Sequence, residues 1–156
     1  MTLASFNAAS EQEAAAEMLA CCASRRFAAA MTAGRPYASQ AAAVAAVEAV
    51  FDSLAWPDVF EAMAAHPRIG ARVSGQSAAE QSGVSDDYRA ALAAGNAAYE
   101  ERFGHVFLIC ATGLSGAQML GALRQRLTND EMSERGVTTT ELRKITVLRV
   151  RKALAE

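Results

Sequence analysis

Apolar positions recur every three to four residues through most of the chain, with polar and small residues between them, and this spacing predicts one helix after another. Ser10-x-x-Glu13 has the form of a capping box, in which a hydroxyl and a carboxylate three residues apart satisfy each other's backbone N–H groups. It opens a segment running to about Met31, with Leu19, Cys22, Phe27 and Met31 on one face. Thr32-Ala-Gly-Arg-Pro36 breaks the pattern. Ser39 caps a second helix to about Leu54, striped by Val44, Val47, Val50, Phe51 and Leu54. Trp56-Pro57-Asp58 is a break, and Pro57 suits the first turn of a short helix over 59–65. His66-Pro67 stops that helix, because proline pushes the residue before it out of the α region. Residues 68–76 contain Gly70 and Gly75 and read as loop.

Ser77-x-x-Glu80 is a second capping box, for a short helix ending at Gly83, and Ser85 followed by Asp86 and Asp87 opens a helix over 88–102 that Gly104 closes. Val106-Phe-Leu-Ile-Cys110 is an apolar run with no second strand to pair with, so it is expected as buried extended chain or the start of a helix. Residues 115–127 form a helix that breaks near Thr128–Asn129, and Thr138-x-x-Glu141 opens a last one to about Leu154. The expectation is an all-α protein: residues 1–156 as a single compact multi-helix domain of about seven or eight helices, with no significant β-sheet.

Composition sharpens this reading. Of the 81 hydrophobic residues 37 are Ala, the strongest helix former, and the other 44 suffice for one core. A net charge of −2 offers no basic field to nucleic acid, and no apolar stretch approaches the ~20 residues that cross a bilayer. Three cysteines without a CxxC, no leader pattern before residue 20 and no peroxisomal tripeptide in Ala-Leu-Ala-Glu suggest a reduced, cytoplasmic protein.

Cofactor motifs are missing. His66, His105 and the scattered cysteines lack zinc-site spacing, and there is no P-loop, dinucleotide fingerprint or nucleophile elbow. No metal and no cofactor are expected, and any catalysis falls to side chains. The informative stretch is residues 66–81. A histidine at a helix exit, followed by proline, has a fixed direction, and imidazole titrates near the pH at which a general acid–base works. Glu80, one loop away, could orient it or move a second proton. The same residues also read as a helix stop and a capping box.

The stretch has a counterpart. His66-Pro67-Arg68-Ile69-Gly70 with Ser77-x-x-Glu80-Gln81-x-Gly83 resembles the signature of the OHCU decarboxylases, which act on 2-oxo-4-hydroxy-4-carboxy-5-ureidoimidazoline in urate breakdown to allantoin. Three further blocks follow in the family's order: Asn96-x-x-Tyr99-x-x-Arg102-Phe103-Gly104-x-x-Phe107-Leu108-Ile109-Cys110-Ala111, then Arg126-Leu127-x-Asn129-x-x-x-x-Glu134, then Glu141-Leu-x-Lys144-Ile145-x-x-Leu148-Arg149. Arg35-Pro36 also falls in place. The resemblance spans about residues 35–154, and its Arg68-Ile69-Gly70 version resembles the bacterial members. His105 and Val106 stand where many relatives have an aromatic and a proline, and Thr138 where Ala is common.

The resemblance implies an all-α carboxy-lyase needing no cofactor. It makes His66 the catalytic histidine and Glu80 its partner. Pro67, Ser77, Gln81, the Phe107, Leu108, Ile109, Cys110 and Ala111 backbone, and Arg149 become substrate-binding positions. The implied partner is a small-molecule substrate, with neither nucleic acid nor membrane, and a homodimer is compatible. Two rivals remain. One is an inactive helical binding or scaffold domain of the same fold, which the retention of His66, Glu80, Gln81 and Arg149 disfavours. The other is a Cys110/His105 hydrolase, disfavoured because an apolar run raises a thiol's pKa.

Overall fold

A computed structural model describes residues 1–70 and 86–156, leaving aside the side chains of 86 and 87. The described residues form eight helices. These are α1 (Leu3–Ala8), α2 (Glu11–Cys21), α3 (Arg25–Ala33), α4 (Gln40–Ser53), α5 (Trp56–Met63), α6 (Asp86–Phe103), α7 (Gly116–Arg126) and α8 (Glu131–Ala153). None of the described residues is in a strand. The all-α expectation holds. The chain divides into two units, residues 1–62 with 142–156, and residues 63–141.

In the first unit α2 packs on α3 and α3 on α4. The expected single helix from Ser10 to Met31 is two helices. The Ser10 capping box is present, but α2 ends at Cys21, and Ser24, fully buried, accepts the Phe27 N–H to start α3. The break resets the helical register. Ala14, Met18 and Cys21 therefore form the buried stripe of α2, while Leu19 is exposed. In α4 the stripe is Ala43, Val47 and Phe51, at four-residue steps, with Val44, Val50 and Leu54 half-buried at its borders. Arg35 donates from Nη1 to the Phe6 and Ala9 carbonyls (2.8 and 2.7 Å) and from Nε to Thr32 (3.0 Å). One guanidinium thus adds a donor to carbonyls at the ends of α1 and α3.

Helix α5 starts earlier than expected, at Trp56, because the Asp58 carboxylate accepts the Ala55 N–H (3.0 Å) and Pro57 occupies its first turn. In the second unit α6 packs on α7. Gly104 closes α6 at φ +77°, and its N–H donates to the Glu100 carbonyl (2.8 Å). The Ser115–Gln118 capping box opens α7. Thr138-x-x-Glu141, expected as a capping box, caps no helix. Asp130 accepts the Ser133 N–H (2.8 Å) in front of α8, and Thr138 lies inside that helix, fully buried. Residues 106–111 belong to no helix, and Phe107, Leu108, Ile109 and Ala111 are buried, matching the extended alternative.

Candidate active site

Within the second unit, one helix backs two segments that carry most of the described candidates. The first runs from His66 to Gly70. The His66 N–H donates to the Met63 carbonyl (3.0 Å), finishing α5 with a tight turn, and His66 and Pro67 are both half-buried. From there α6 takes hold of the chain. Arg68 Nε reaches both carboxylate oxygens of Glu100 (2.9 and 3.1 Å), Asn96 Nδ2 donates to the Ile69 carbonyl (2.8 Å), and the Arg89 guanidinium donates to the Gly70 carbonyl. Arg89, Asn96 and Glu100 are seven and four residues apart, which places them on one helix face. Gly70 has φ +86°, and a Cβ there would stand 3.2 Å from Leu92 Cδ1, so the segment lies close on α6 where only glycine fits comfortably. The Ile69 side chain joins a cluster with Leu92, Tyr99, Phe107, Ile109 and Ala111.

The second segment is 106–111, and a buried charge network holds it. Arg126 donates from Nη1 to the Leu108 carbonyl and from Nη2 to Thr138 Oγ1 (3.2 Å). Its Nε and Nη2 converge on Glu134 Oε1 at 2.7 and 2.6 Å. The Tyr99 hydroxyl donates to the same oxygen (2.6 Å), and Asn129 Nδ2 to Oε2 (3.0 Å). Side-chain exposure is 8% for Arg126 and 0% for Glu134, so both charges have left water and depend on each other and on these donors. Burial, then the bond to Glu134, pushes the Tyr99 phenol well above its ordinary range, which keeps its proton in place to donate. The Arg126 guanidinium also lies over the Phe107 ring, 4.6 Å from its centre. Closer to the end of the segment, Glu141 Oε1 accepts the Cys110 N–H (3.2 Å).

Ile109, Ala122, Gln125, Arg126, Asn129, Val137 and Glu141 line an open cleft on this side of the segment. His105, in contrast, is engaged structurally. Its ring packs edge-on to Tyr99 at 5.5 Å and stacks on Phe103 at 6.3 Å, with Nδ1 3.0 Å from the Val106 carbonyl oxygen. Cys110 is half-buried.

The structure therefore brings His66, Pro67 and residues 107–111 onto elements tied to α6. Arg149 falls in the first unit, half-buried on α8. There its charge acts on Cys21 and Cys22, whose thiols burial pushes up to about 12 and about 11. Ser77, Glu80 and Gln81 lie outside the described residues. Among the described residues no group of His, Cys, Asp or Glu is arranged to hold a metal. Arg126, Glu134 and Glu141 are not among the site residues that the sequence predicts. Their spacing in two of the family blocks was the signal, but charged side chains on a helix read as solvated until their burial is seen.

Comparison with known proteins places these features. The family model for OHCU decarboxylase matches residues 7–151. The uric acid degradation bifunctional protein TTL of Arabidopsis thaliana is 35% identical over 152 residues, covering 90% of this chain and 47% of that protein. The chain thus spans about half the length of that bifunctional relative. The 2-oxo-4-hydroxy-4-carboxy-5-ureidoimidazoline decarboxylase of Amia calva is 31% identical, with 79% of this chain and 77% of the relative covered. A crystal structure of OHCU decarboxylase in the presence of (S)-allantoin superposes with a TM-score of 0.79 at 35% identity, covering 90% of this chain and 98% of that one. A structure of (S)-allantoin synthase, at 17% identity and a TM-score of 0.70, shares the fold, with 99% of this chain and 54% of that one covered. The family model spans nearly the whole chain and a relative more than 30% identical is covered over three-quarters of its length, so the chain belongs to the OHCU decarboxylase family.

Proposed function

We propose that this chain decarboxylates 2-oxo-4-hydroxy-4-carboxy-5-ureidoimidazoline to (S)-allantoin and carbon dioxide, the last step of urate degradation, with His66 and Glu80 as its catalytic groups. One observation carries the reading: His66-Pro67 and the 107–111 segment, separate in sequence, both rest on elements anchored to α6 within one unit. This match of family blocks to a shared scaffold is what an active domain needs and a mere helical bundle does not.

The substrate's own chemistry explains why side chains suffice. Its hydroxyl and carboxylate share a ring carbon next to a carbon–nitrogen double bond. When the carbon–carboxylate bond breaks, its electron pair forms a carbon–carbon double bond to the ureido-bearing carbon, the pair of the carbon–nitrogen double bond passes to the ring nitrogen, which takes up a proton, and an enol-like intermediate forms. The hydroxyl proton then leaves, the hydroxyl carbon becomes a carbonyl, and a proton adds to the carbon that bears the ureido group. No cofactor is needed to store the electrons. The protein has to hold geometry and move these protons. His66 takes the hydroxyl proton and assists protonation of the intermediate. Glu80 fixes the imidazole's tautomer or relays a proton. Pro67, Ser77, Gln81 and the Phe107 to Ala111 backbone hold the ureido and ring groups, and Arg149 offers its fork of donors to the substrate anion. Proton delivery to one face yields a single enantiomer.

On this reading residues 1–156 act as one domain, since the family match runs across both units. The setting is the cytoplasm. The partner is the small-molecule substrate, without nucleic acid or membrane, and a homodimer is compatible. Among the described residues no helix is long and apolar enough to cross a membrane.

Kinetics test the reading directly. His66→Ala is expected to lower kcat by about 10²–10⁴-fold, the usual worth of a positioned acid–base group, while leaving the helical spectrum unchanged. Glu80→Gln is expected to lower it as well. Near-wild-type turnover by both variants would remove these residues from the mechanism.

A further inference from the structure

Two grips on the 106–111 segment fall on alternate residues. Arg126 holds the carbonyl of Leu108, and Glu141 holds the N–H of Cys110. Both holding side chains line the same cleft, so both grips come from one side. In an extended chain the N–H and C=O of one residue point to one edge and those of the next residue to the opposite edge. Fixing 108 and 110 from one edge therefore turns the peptide groups of Ile109 to the other. Ile109 is 7% exposed, and among the described residues no partner meets its N–H or its C=O. Buried backbone polar groups are as a rule paired. A polar ligand on that edge would meet one donor and one acceptor.

We propose that Glu141 is a positioning residue of the reaction: by holding the Cys110 N–H, with Arg126 on the Leu108 carbonyl, it presents the Ile109 N–H and C=O to the amide groups of the substrate's ureido arm and ring. The inference rests on the decarboxylase activity proposed above. A single backbone unit offering one donor and one acceptor matches a ureido group, which carries both, and rejects analogues that lack either. In this role Glu141 acts on the substrate through the segment it holds.

Three variants separate this role from bulk or charge. Glu141→Leu keeps the volume and removes the acceptor. Glu141→Gln removes the charge and keeps an acceptor oxygen. Glu141→Asp keeps the charge and withdraws the carboxylate by one methylene, so it decides the matter if the Leu variant does not fold. Steady-state turnover of freshly generated substrate is measured beside the amide proton–nitrogen spectrum of each protein. Glu141→Leu and Glu141→Asp are expected to lose about tenfold in kcat/KM and to move the Cys110 amide signal, while Glu141→Gln recovers most of both. The Ile109 amide of the wild type is expected to shift when (S)-allantoin is added. A Cys110 signal or a kcat/KM that stays at the wild-type value in both Glu141→Leu and Glu141→Asp overturns the role, as does a Gln variant no better than the Leu one. A folded wild type that leaves the substrate unconverted overturns the activity and this role together, whereas an active wild type with an indifferent Glu141 overturns this role alone.

Discussion

At His66 the chain leaves α5 with its direction set by the turn to Met63 behind it and the proline ring ahead. That position was legible from residue types alone, because a His-Pro pair at a helix end has few conformations. The buried pair of Arg126 and Glu134 was not. Both residues stand in helical stretches where a charge ordinarily faces water, and only the packing of Tyr99, Phe107 and Asn129 around them shows otherwise. The pair makes a sharp prediction. Glu134→Ala strands the Arg126 guanidinium beneath the segment it holds, and unfolding in urea is expected to report a loss of about 3–5 kcal/mol. A loss below about 1 kcal/mol would mean that water reaches the guanidinium and that the network is not the anchor described here.

Among the elements, starts were easier to read than faces. The hydroxyl and carboxylate of Ser10-x-x-Glu13 form their box as expected, as Ser39 forms its cap, because capping is a local interaction. Thr138-x-x-Glu141 has the same spelling and caps nothing. The Thr138 hydroxyl is drawn into the Arg126 network, and Asp130 starts the helix instead. Local pattern cannot show which of two competing partners a hydroxyl finds when one of them comes from another helix. The contact of α6 with α7 gives a paired test. A Cβ on Gly95 would lie 2.5 Å from Leu123 Cδ2, whereas one on Gly121 meets nothing within 4 Å. Alanine favours a helix over glycine by about 1 kcal/mol at either site. At Gly95 the overpacking cost of about 1–3 kcal/mol exceeds that gain, since Leu123 is fully buried and has little room to yield. Gly121→Ala is therefore expected to raise the melting temperature and Gly95→Ala to lower it. A rise in both would show that the helices can part without cost.

For the whole molecule, the helical class and the ordered family blocks were readable because both depend on patterns summed along the chain. The division into two units and the placement of Arg149 beside buried thiols depend on contacts distant in sequence, which no local pattern encodes. Those thiols make stability depend on pH in the alkaline range. Burial raises Cys21 and Cys22 from the ordinary 9.0 to about 12 and about 11, and it raises Tyr99 as well. The folded chain therefore keeps protons that the unfolded chain has already released. The thiols' contribution to stability is complete below about pH 9 and is lost as pH rises toward 11 and 12, by about 1 kcal/mol per thiol per pH unit. Urea midpoints under reducing conditions at about pH 8 and about pH 10 are expected to show the drop, and replacing both cysteines by alanine to flatten it. A midpoint unchanged between the two would mean that these thiols meet water in the folded state.

The activity itself can be read by time-resolved circular dichroism. The ureidoimidazoline is generated in the cuvette by urate oxidation and hydrolysis, and its decay is followed with wild-type protein, with His66→Ala and with no protein. The account predicts rapid appearance of optically active (S)-allantoin with the wild type alone. Decay at the uncatalysed rate to racemic product, with the wild type folded, would contradict it and leave a helical binding domain in its place.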